Sequence, residues 1–179
     1  MPTGRARRPL ARTKDRLILR PLHPADVSAC AQILVDNPLW RRYGVTLALA
    51  RSTVRSALRA RPGTARAEFV VAHRRGIVVG FIRYLLEGTF SHSGYVRAVA
   101  VAPSEQGGGV GAALLAHAER RIFSRARDVF LLVSHFNRRA QAFYERNGYT
   151  KIGEIKNYVV PGITEYVYRK ARTLKEGHL

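Results

Sequence analysis

The sequence predicts an α/β fold on a mixed sheet, and three stretches carry that expectation. Residues 68–72 (EFVVA) and 77–86 (IVVGFIRYLL) are rich in β-branched and aromatic residues and are separated by HRRG at 73–76, the signal of an antiparallel hairpin. Residues 95–112 pass from a strand into a glycine-rich loop and then into a helix. Residues 129–133 (VFLLV) are a short continuous apolar run of the kind buried in parallel pairing, so the intervening helix makes a βαβ crossover.

In chain order, residues 1–14 carry Arg5, Arg7, Arg8, Arg12 and Lys14 among few large apolar residues, the composition of a disordered basic arm. This sets an arm at 1–15, one domain at 16–172 and a short tail at 173–179. Residues 17–21 (LILRP) form a short strand ended by proline. Pro24, Ala25 and Asp26 start a helix whose apolar positions Val27, Ala31, Ile33 and Leu34 continue to about Val35. Residues 36–45, where Asn37 precedes Pro38, are expected as a loop, and Trp40 and Tyr43 in it either cover the core or line a pocket. Thr46 caps a helix with Leu47, Ala50, Val54, Ala57 and Leu58 on one face, stopped at Pro62 and Gly63. Residues 87–94 link the hairpin to the Tyr95 strand, in which Val96, Val99 and Val101 have Ala98, Ala100 and Ala102 between them until Pro103 removes a ladder donor.

From Val110 the period changes. Val110, Leu114, Ala118 and Ile122 recur every four residues beside polar His117, Glu119, Arg120 and Arg121, which is an amphipathic helix. In a later helix Ala140, Phe143, Tyr144 and Asn147 share one face, with Asn137 at its N-cap and Gly148 at the C′ position. Residues 149–156 and 163–170 close the sheet as a strand pair around Pro161 and Gly162.

Composition bounds the function. At 179 residues and 46% hydrophobic, the chain can bury one sizeable core and does not ask for a second domain. It has no apolar run long enough to cross a bilayer and no apolar segment of a signal peptide, so a cytoplasmic protein without membrane contact is expected. Cys30 is the only cysteine; in its Ala/Val/Ile/Leu-rich surroundings it is expected as a small buried hydrophobe rather than a nucleophile. The six histidines show no paired ligand spacing, and no metal site is expected. A formal net charge of +19 implies attraction to polyanions, unless the excess arginine simply decorates solvated faces.

Gly107, Gly108, Gly109 and Gly111 let the backbone take φ > 0 and approach a ligand without a Cβ in the way. A helix N-terminus after such a loop exposes unpaired N–H groups at the positive end of the macrodipole, which suits phosphate. The spacing is not that of a Gly-Lys-Ser/Thr phosphate loop. Gly107, Gly109 and Ala112 approach the dinucleotide fingerprint, but no acidic residue follows at the ribose-binding distance. A turn serving only close packing would also account for an isolated glycine cluster.

Placed right after VAVAP at 99–103, the pattern Gln106-x-x-Gly109-x-Gly111-Ala112 resembles the acyl-coenzyme A loop of the GNAT N-acetyltransferase superfamily. Residues 137–149, with Asn137, Ala140, Tyr144, Gly148 and Tyr149, resemble its second signature one βαβ unit later, and the resemblance covers about 16–170. It implies a GNAT-like fold, mainly antiparallel, in which the Tyr95 and Val129 strands form a central parallel pair splayed around the pantetheine arm and flanked by helices. Val99, Ala100 and Val101 would then meet that arm. The pyrophosphate would rest on amides of Gln106, Gly107, Gly108, Gly109, Val110, Gly111 and Ala112, while Asn137, Ala140, Phe143 and Tyr144 would pack against the cosubstrate.

The chemistry implied is direct attack of a neutral amine on the thioester of acetyl-CoA. Backbone N–H on the Tyr95 strand would stabilise the developing oxyanion, and Tyr144 would protonate the leaving thiolate. Two positions depart from the family pattern. Arg97 stands where many relatives place a glutamate, which leaves Glu87, acting through water, as the candidate base and His92 as the second. Gly108 stands where relatives often carry Arg or Lys, which removes a cation from the phosphate site. The acceptor pocket would draw on residues 36–45, 87–94 and 156–162, with Trp40, Tyr43 and Tyr158 as aromatic walls. The acceptor amine, small molecule or protein, is unspecified, and a homodimer and polyanion contact stay open as assemblies. The rival reading, from another class, is a non-enzymatic nucleic-acid- or ribosome-binding module using the basic surface.

Overall fold

Alternating apolar residues and tight turns build one sheet, seen here in a computed structural model that describes residues 16–59 and 67–173. The strands are β1 (Ile18–Pro21), β2 (Ala67–Arg74), β3 (Ile77–Thr89), β4 (Ser93–Val101), β5 (Asp128–Ser134), β6 (Thr150–Lys156) and β7 (Thr164–Ala171). The helices are α1 (Val27–Asp36), α2 (Pro38–Arg42), α3 (Leu47–Ala57), α4 (Val110–Phe123) and α5 (Arg138–Arg146), with single 3-10 turns at Pro24–Asp26 and Pro103–Glu105. The sheet runs β1-β2-β3-β4-β5-β7-β6, and every neighbouring pair is antiparallel except β4 with β5. This is the mixed architecture expected from the sequence.

The β2–β3 hairpin closes through Arg75 and Gly76, both left-handed at φ 54° and 76°, a two-residue turn whose twist matches the strands. Each face of the sheet carries a hydrophobic layer. Val110, Leu114, Ala118 and Ile122 of α4 pack with Val79, Ile82, Val96 and Val129 on one face. Cys30, Ile33 and Leu34 of α1 and Ala50 and Val54 of α3 pack with Val71, Phe81 and Ala100 on the other. Cys30 is fully buried there as expected, and burial pushes its thiol up to about 12. Gly94 lets α4 close on the sheet, because a Cβ at that position would overlap the Ile122 side chain.

A bulge re-phases β4. Arg83 pairs with Ala98 but Tyr84 pairs with Val96, so Arg97 is the extra residue. For this reason Val96, Val99 and Val101 all reach the α4 face although their numbers change parity, while Ala98 and Ala100 reach the opposite one.

Two expectations are corrected. Residues 36–45 are not all loop: Pro38 begins α2 at its first helical position, and Asn37 Oδ1 accepts from Leu39 N at 3.0 Å. An Asn-Pro pair marks a helix start as well as a break, since proline tolerates the first turn, where its missing N–H costs nothing. Residues 87–94 are not a link but mostly strand, because β3 runs on to Thr89 and β4 begins at Ser93; a register slip between Leu85 and Thr89 hides the pairing from a pattern of alternation. The tight turn between them holds Phe90 and Ser91 at φ 50° and 60°. The basic arm at 1–15, the helix stop at Pro62 and Gly63, and the tail beyond residue 173 lie outside the described residues.

Candidate active site

The parallel ladder between β4 and β5 is short. It joins Ser93 to Asp128, Gly94 to Val129, Tyr95 to Phe130 and Val96 to Leu131, and there it stops. β4 continues to Val101 and β5 to Ser134, but β5 keeps its register with β7 as far as Ser134 opposite Glu165. The two strands therefore part at the bulge, and the β5-facing edge of β4 beyond Val96 has no strand partner. A cleft of about 860 Å³ opens between them, with Val99, Val133, Asn137, Ala140 and Tyr144 among its walls.

Next to the end of β4 stands the glycine loop. Gly107 and Gly109 are left-handed at φ 86° and 81°, and a Cβ at either would meet nothing within 4 Å, so backbone conformation rather than crowding calls for glycine. Gly109 is the N-cap of α4 and offers no side-chain cap, which leaves the first-turn N–H groups without a side-chain acceptor, the arrangement that suits an anion. Close to Gly108, Arg74 Nη1 at the end of β2 lies 3.7 Å from where a Gly108 Cβ would stand, and this guanidinium also pairs with Glu105. A second arginine, Arg139 of α5, donates to Gln106 Oε1 at 2.6 Å, while Gln106 Nε2 donates to Val101 O at 3.2 Å.

α5 is capped by Asn137 and tied to the end of β5 by Gln141. Asn137 Oδ1 accepts from Ala140 N at 3.2 Å, and Gln141 Nε2 donates to Ser134 O and His135 O at 3.1 and 2.9 Å. The Phe143 ring reaches to 3.5 Å from a Cβ position on Gly111, joining the two sequence signatures through packing. Tyr144 is 9% exposed and stacks edge-on with Phe143 and Tyr149 at centroid distances of 5.1 and 5.6 Å. Burial, with a smaller contribution from the Tyr95 phenol, raises its titration well above the usual tyrosine range. Its hydroxyl thus keeps a proton to donate near neutral pH.

Of the expected site residues, Val99, Asn137, Ala140 and Tyr144 line the cleft. Ala100, Val101, Phe143 and residues 106–112 are not on its wall; the Gln106–Val101 bond and the Phe143–Gly111 contact tie several of them to its margin. Neither Glu87 nor His92 lines it, although their neighbours Gly88, Thr89 and Phe90 do. The three stretches expected for an acceptor meet here: Leu39, Trp40 and Tyr43 from α2 and its end, Phe90 from the β3–β4 turn, and Tyr158, Val159 and Val160 from the β6–β7 loop. Phe90 and Tyr158 are 76% and 64% exposed, which gives the mouth an apolar rim.

One carboxylate escapes the sequence reading altogether. Glu165, on β7 and 3% exposed, lines the cleft and accepts a hydrogen bond from the Tyr43 hydroxyl, which is also 2.5 Å from Ser134 Oγ. Burial first, and then the bond to Glu165, push the Tyr43 phenol up to about 12, so it stays a neutral donor. No local pattern marks Glu165, since it opens a closing strand far along the chain from Tyr43.

Residues 28–149 match the Acetyltransferase (GNAT) family. Among solved structures, the fold is similar to a protein assigned to the GNAT family from Desulfovibrio desulfuricans, at 23% identity and TM-score 0.72 over 87% of this chain and 99% of that one. It is similar as well to an aminoglycoside 6′-N-acetyltransferase complexed with coenzyme A (14% identity, TM-score 0.70, 89% and 99% covered). A third is the PaiA N-acetyltransferase from Thermoplasma acidophilum in complex with coenzyme A (16%, 0.67, 88% and 99%). No curated protein sequence matches the chain. No helix among the described residues is long and apolar enough to cross a membrane.

Proposed function

We propose that this chain, which belongs to the GNAT acetyltransferase family, moves an acetyl group from acetyl-CoA to an amine by direct transfer. The observation that carries the reading is the parting of β4 from β5 past Val96, beside an uncapped helix end and with Tyr144 on the cleft wall. The coenzyme A complexes among its structural neighbours support the donor.

The residues present fit such a donor. The first-turn amides of α4 and the left-handed Gly107 and Gly109 form a phosphate cradle open to approach, with Arg74 and Arg139 as flanking cations. Backbone groups of Val99 and Val101 face the open side of the parted strands and would hold an extended amide-bearing arm, the Val101 carbonyl sharing its capacity with Gln106. Ala100, between them, packs into the layer beneath α1 and α3 on the opposite face. Acetyl-CoA supplies an activated thioester. Asn137 and Ala140 shape the wall, and Tyr144 holds its proton at Oη for the departing sulfur. Glu87, the base expected from the sequence, would have to act from outside the wall through water.

The test is acceptor-dependent release of free CoA thiol, followed for acetyl-CoA with benzylamine, lysine and an alanine-initiated peptide. Release above the acceptor-free rate is expected with at least one. Equal rates with and without every amine, in protein that still binds acetyl-CoA, would remove the transferase reading. The nucleic-acid or ribosome module is supported by net charge alone.

A further inference from the structure

Among the described residues, the cleft wall carries one carboxylate, Glu165, and one guanidinium, Arg97. A carboxylate on an apolar, aromatic wall is costly to bury unless something stabilises its charge. Here three elements distant in sequence converge to do so: Tyr43 at the end of α2 donates to Glu165 Oε1, and Ser134 at the end of β5 shares the Tyr43 hydroxyl. Strand alternation places this group on a particular side. Tyr166 and Tyr168 pack into the layer beneath α4, and Val133 does the same from β5, so Glu165 and Ser134 face the opposite side, where α2 closes over the cleft. The glycine loop and α4 lie on the first side, which leaves the Glu165 side to the acceptor. Trp40 and Tyr43 add aromatic faces suited to a cationic amine.

Resting on the acetyl-transfer reading above, we infer that Glu165 is the acceptor-side base: its carboxylate receives the acceptor's ammonium group and takes one proton from it. The freed lone pair on nitrogen forms the new C–N bond to the acetyl carbon as the C–S bond breaks. The thiolate takes the Tyr144 proton, the new amide nitrogen returns its surplus proton to Tyr144, and Glu165 loses its proton to solvent at the cleft mouth. The amine thereby becomes an amide, the thioester becomes a thiol, and one proton is released. The charged and titratable groups around Glu165 include the Tyr43 and Tyr95 phenols, Arg42 beside Tyr43, and His135 hydrogen-bonded to the adjacent Thr164, with Tyr158 and Arg97 on the same wall.

The experiment uses the full chain with whichever of benzylamine, lysine or the alanine-initiated peptide gives the fastest CoA release. At pH 7 Glu165→Gln is expected to lower kcat about 100-fold, the usual worth of a positioned base, while acetyl-CoA affinity by calorimetry stays within about twofold. The deficit should narrow as pH rises through the acceptor amine's own pKa, about 8 for a peptide α-amino group and about 10.4 for a lysine side chain, above which the amine arrives already neutral; a merely structural role would leave it constant. Should Glu165→Gln unfold, Glu165→Asp carries the test and is expected to be slower than wild type with the same narrowing. Wild-type turnover in either variant, a deficit that does not change with pH, or the same pH-dependent deficit in Glu87→Gln would each overturn the assignment. If wild type itself transfers to none of the amines, it is the acetyl-transfer reading that fails and this one falls with it.

Discussion

The two sides of the cleft are built from different materials. On the α4 side the working groups are backbone: left-handed glycines at 107 and 109, an uncapped helix end, and a strand edge released from its partner. On the acceptor side they are side chains, with Tyr43 meeting Ser134 and Glu165 across 91 and 122 residues of sequence. A backbone device needs a run of consecutive residues of the right type, so it is written locally. A side-chain cluster is assembled by the sheet order, which brings β7 beside β5 and folds α2 over both.

The sharpest way to break this comparison is to spoil one backbone device and leave every side-chain contact in place. Gly109→Glu puts bulk, a negative charge and a disfavoured φ into the cradle at once. Acetyl-CoA affinity is expected to fall more than about 100-fold by calorimetry, a loss of roughly 2.7 kcal/mol or more. Gly109→Ala, which adds only the cost of a left-handed alanine, about 1–2 kcal/mol, separates conformation from charge. Equal acetyl-CoA binding by wild type and Gly109→Glu would take the loop out of the site.

That asymmetry also sorts what the sequence discloses. The hairpin turn at Arg75 and Gly76, the cap at Thr46, the cap at Asn137 and the glycine loop are local devices, and each is legible from residue type and spacing. α2 hid behind an Asn-Pro pair that serves stops and starts alike. The bulge at Arg97 was invisible because only the cross-strand register reveals that one residue is unpaired. It matters nonetheless, since it puts Val96 and Val99, three residues apart, on one face beside the point where the strands part. Arg74 and Glu165 were missed for the same reason as each other: both act on elements they are not adjacent to in sequence.

Tyr144 belongs to both sides, being a side chain delivered by a locally written helix. Tyr144→Phe keeps the packing with Phe143 and Tyr149 and removes only the proton. Turnover is expected to drop about 100-fold with acetyl-CoA affinity unchanged, measured by steady-state CoA release beside calorimetry. Unchanged turnover would rule out the acid role and reduce the residue to packing.

The smallest effect is expected where a side chain assists the backbone cradle. Arg74→Ala should weaken acetyl-CoA binding about tenfold, or roughly 1.4 kcal/mol, less than a buried cation would give because Arg74 already shares its charge with Glu105. The loss should shrink at high salt, where exposed charges are screened. An affinity that is unchanged at low salt would leave the cradle purely backbone and make the contrast between the two sides sharper still.

The central claim is where the cosubstrate lies, and amide chemical shifts report it directly. On titrating CoA into the 15N-labelled protein, the largest shifts are expected at Val99 to Val101, along residues 106–112 and at Asn137 to Tyr144, with the β6–β7 loop and α2 little affected. Largest shifts at Tyr43, Tyr158 and Glu165, or none at the glycine loop, would contradict it.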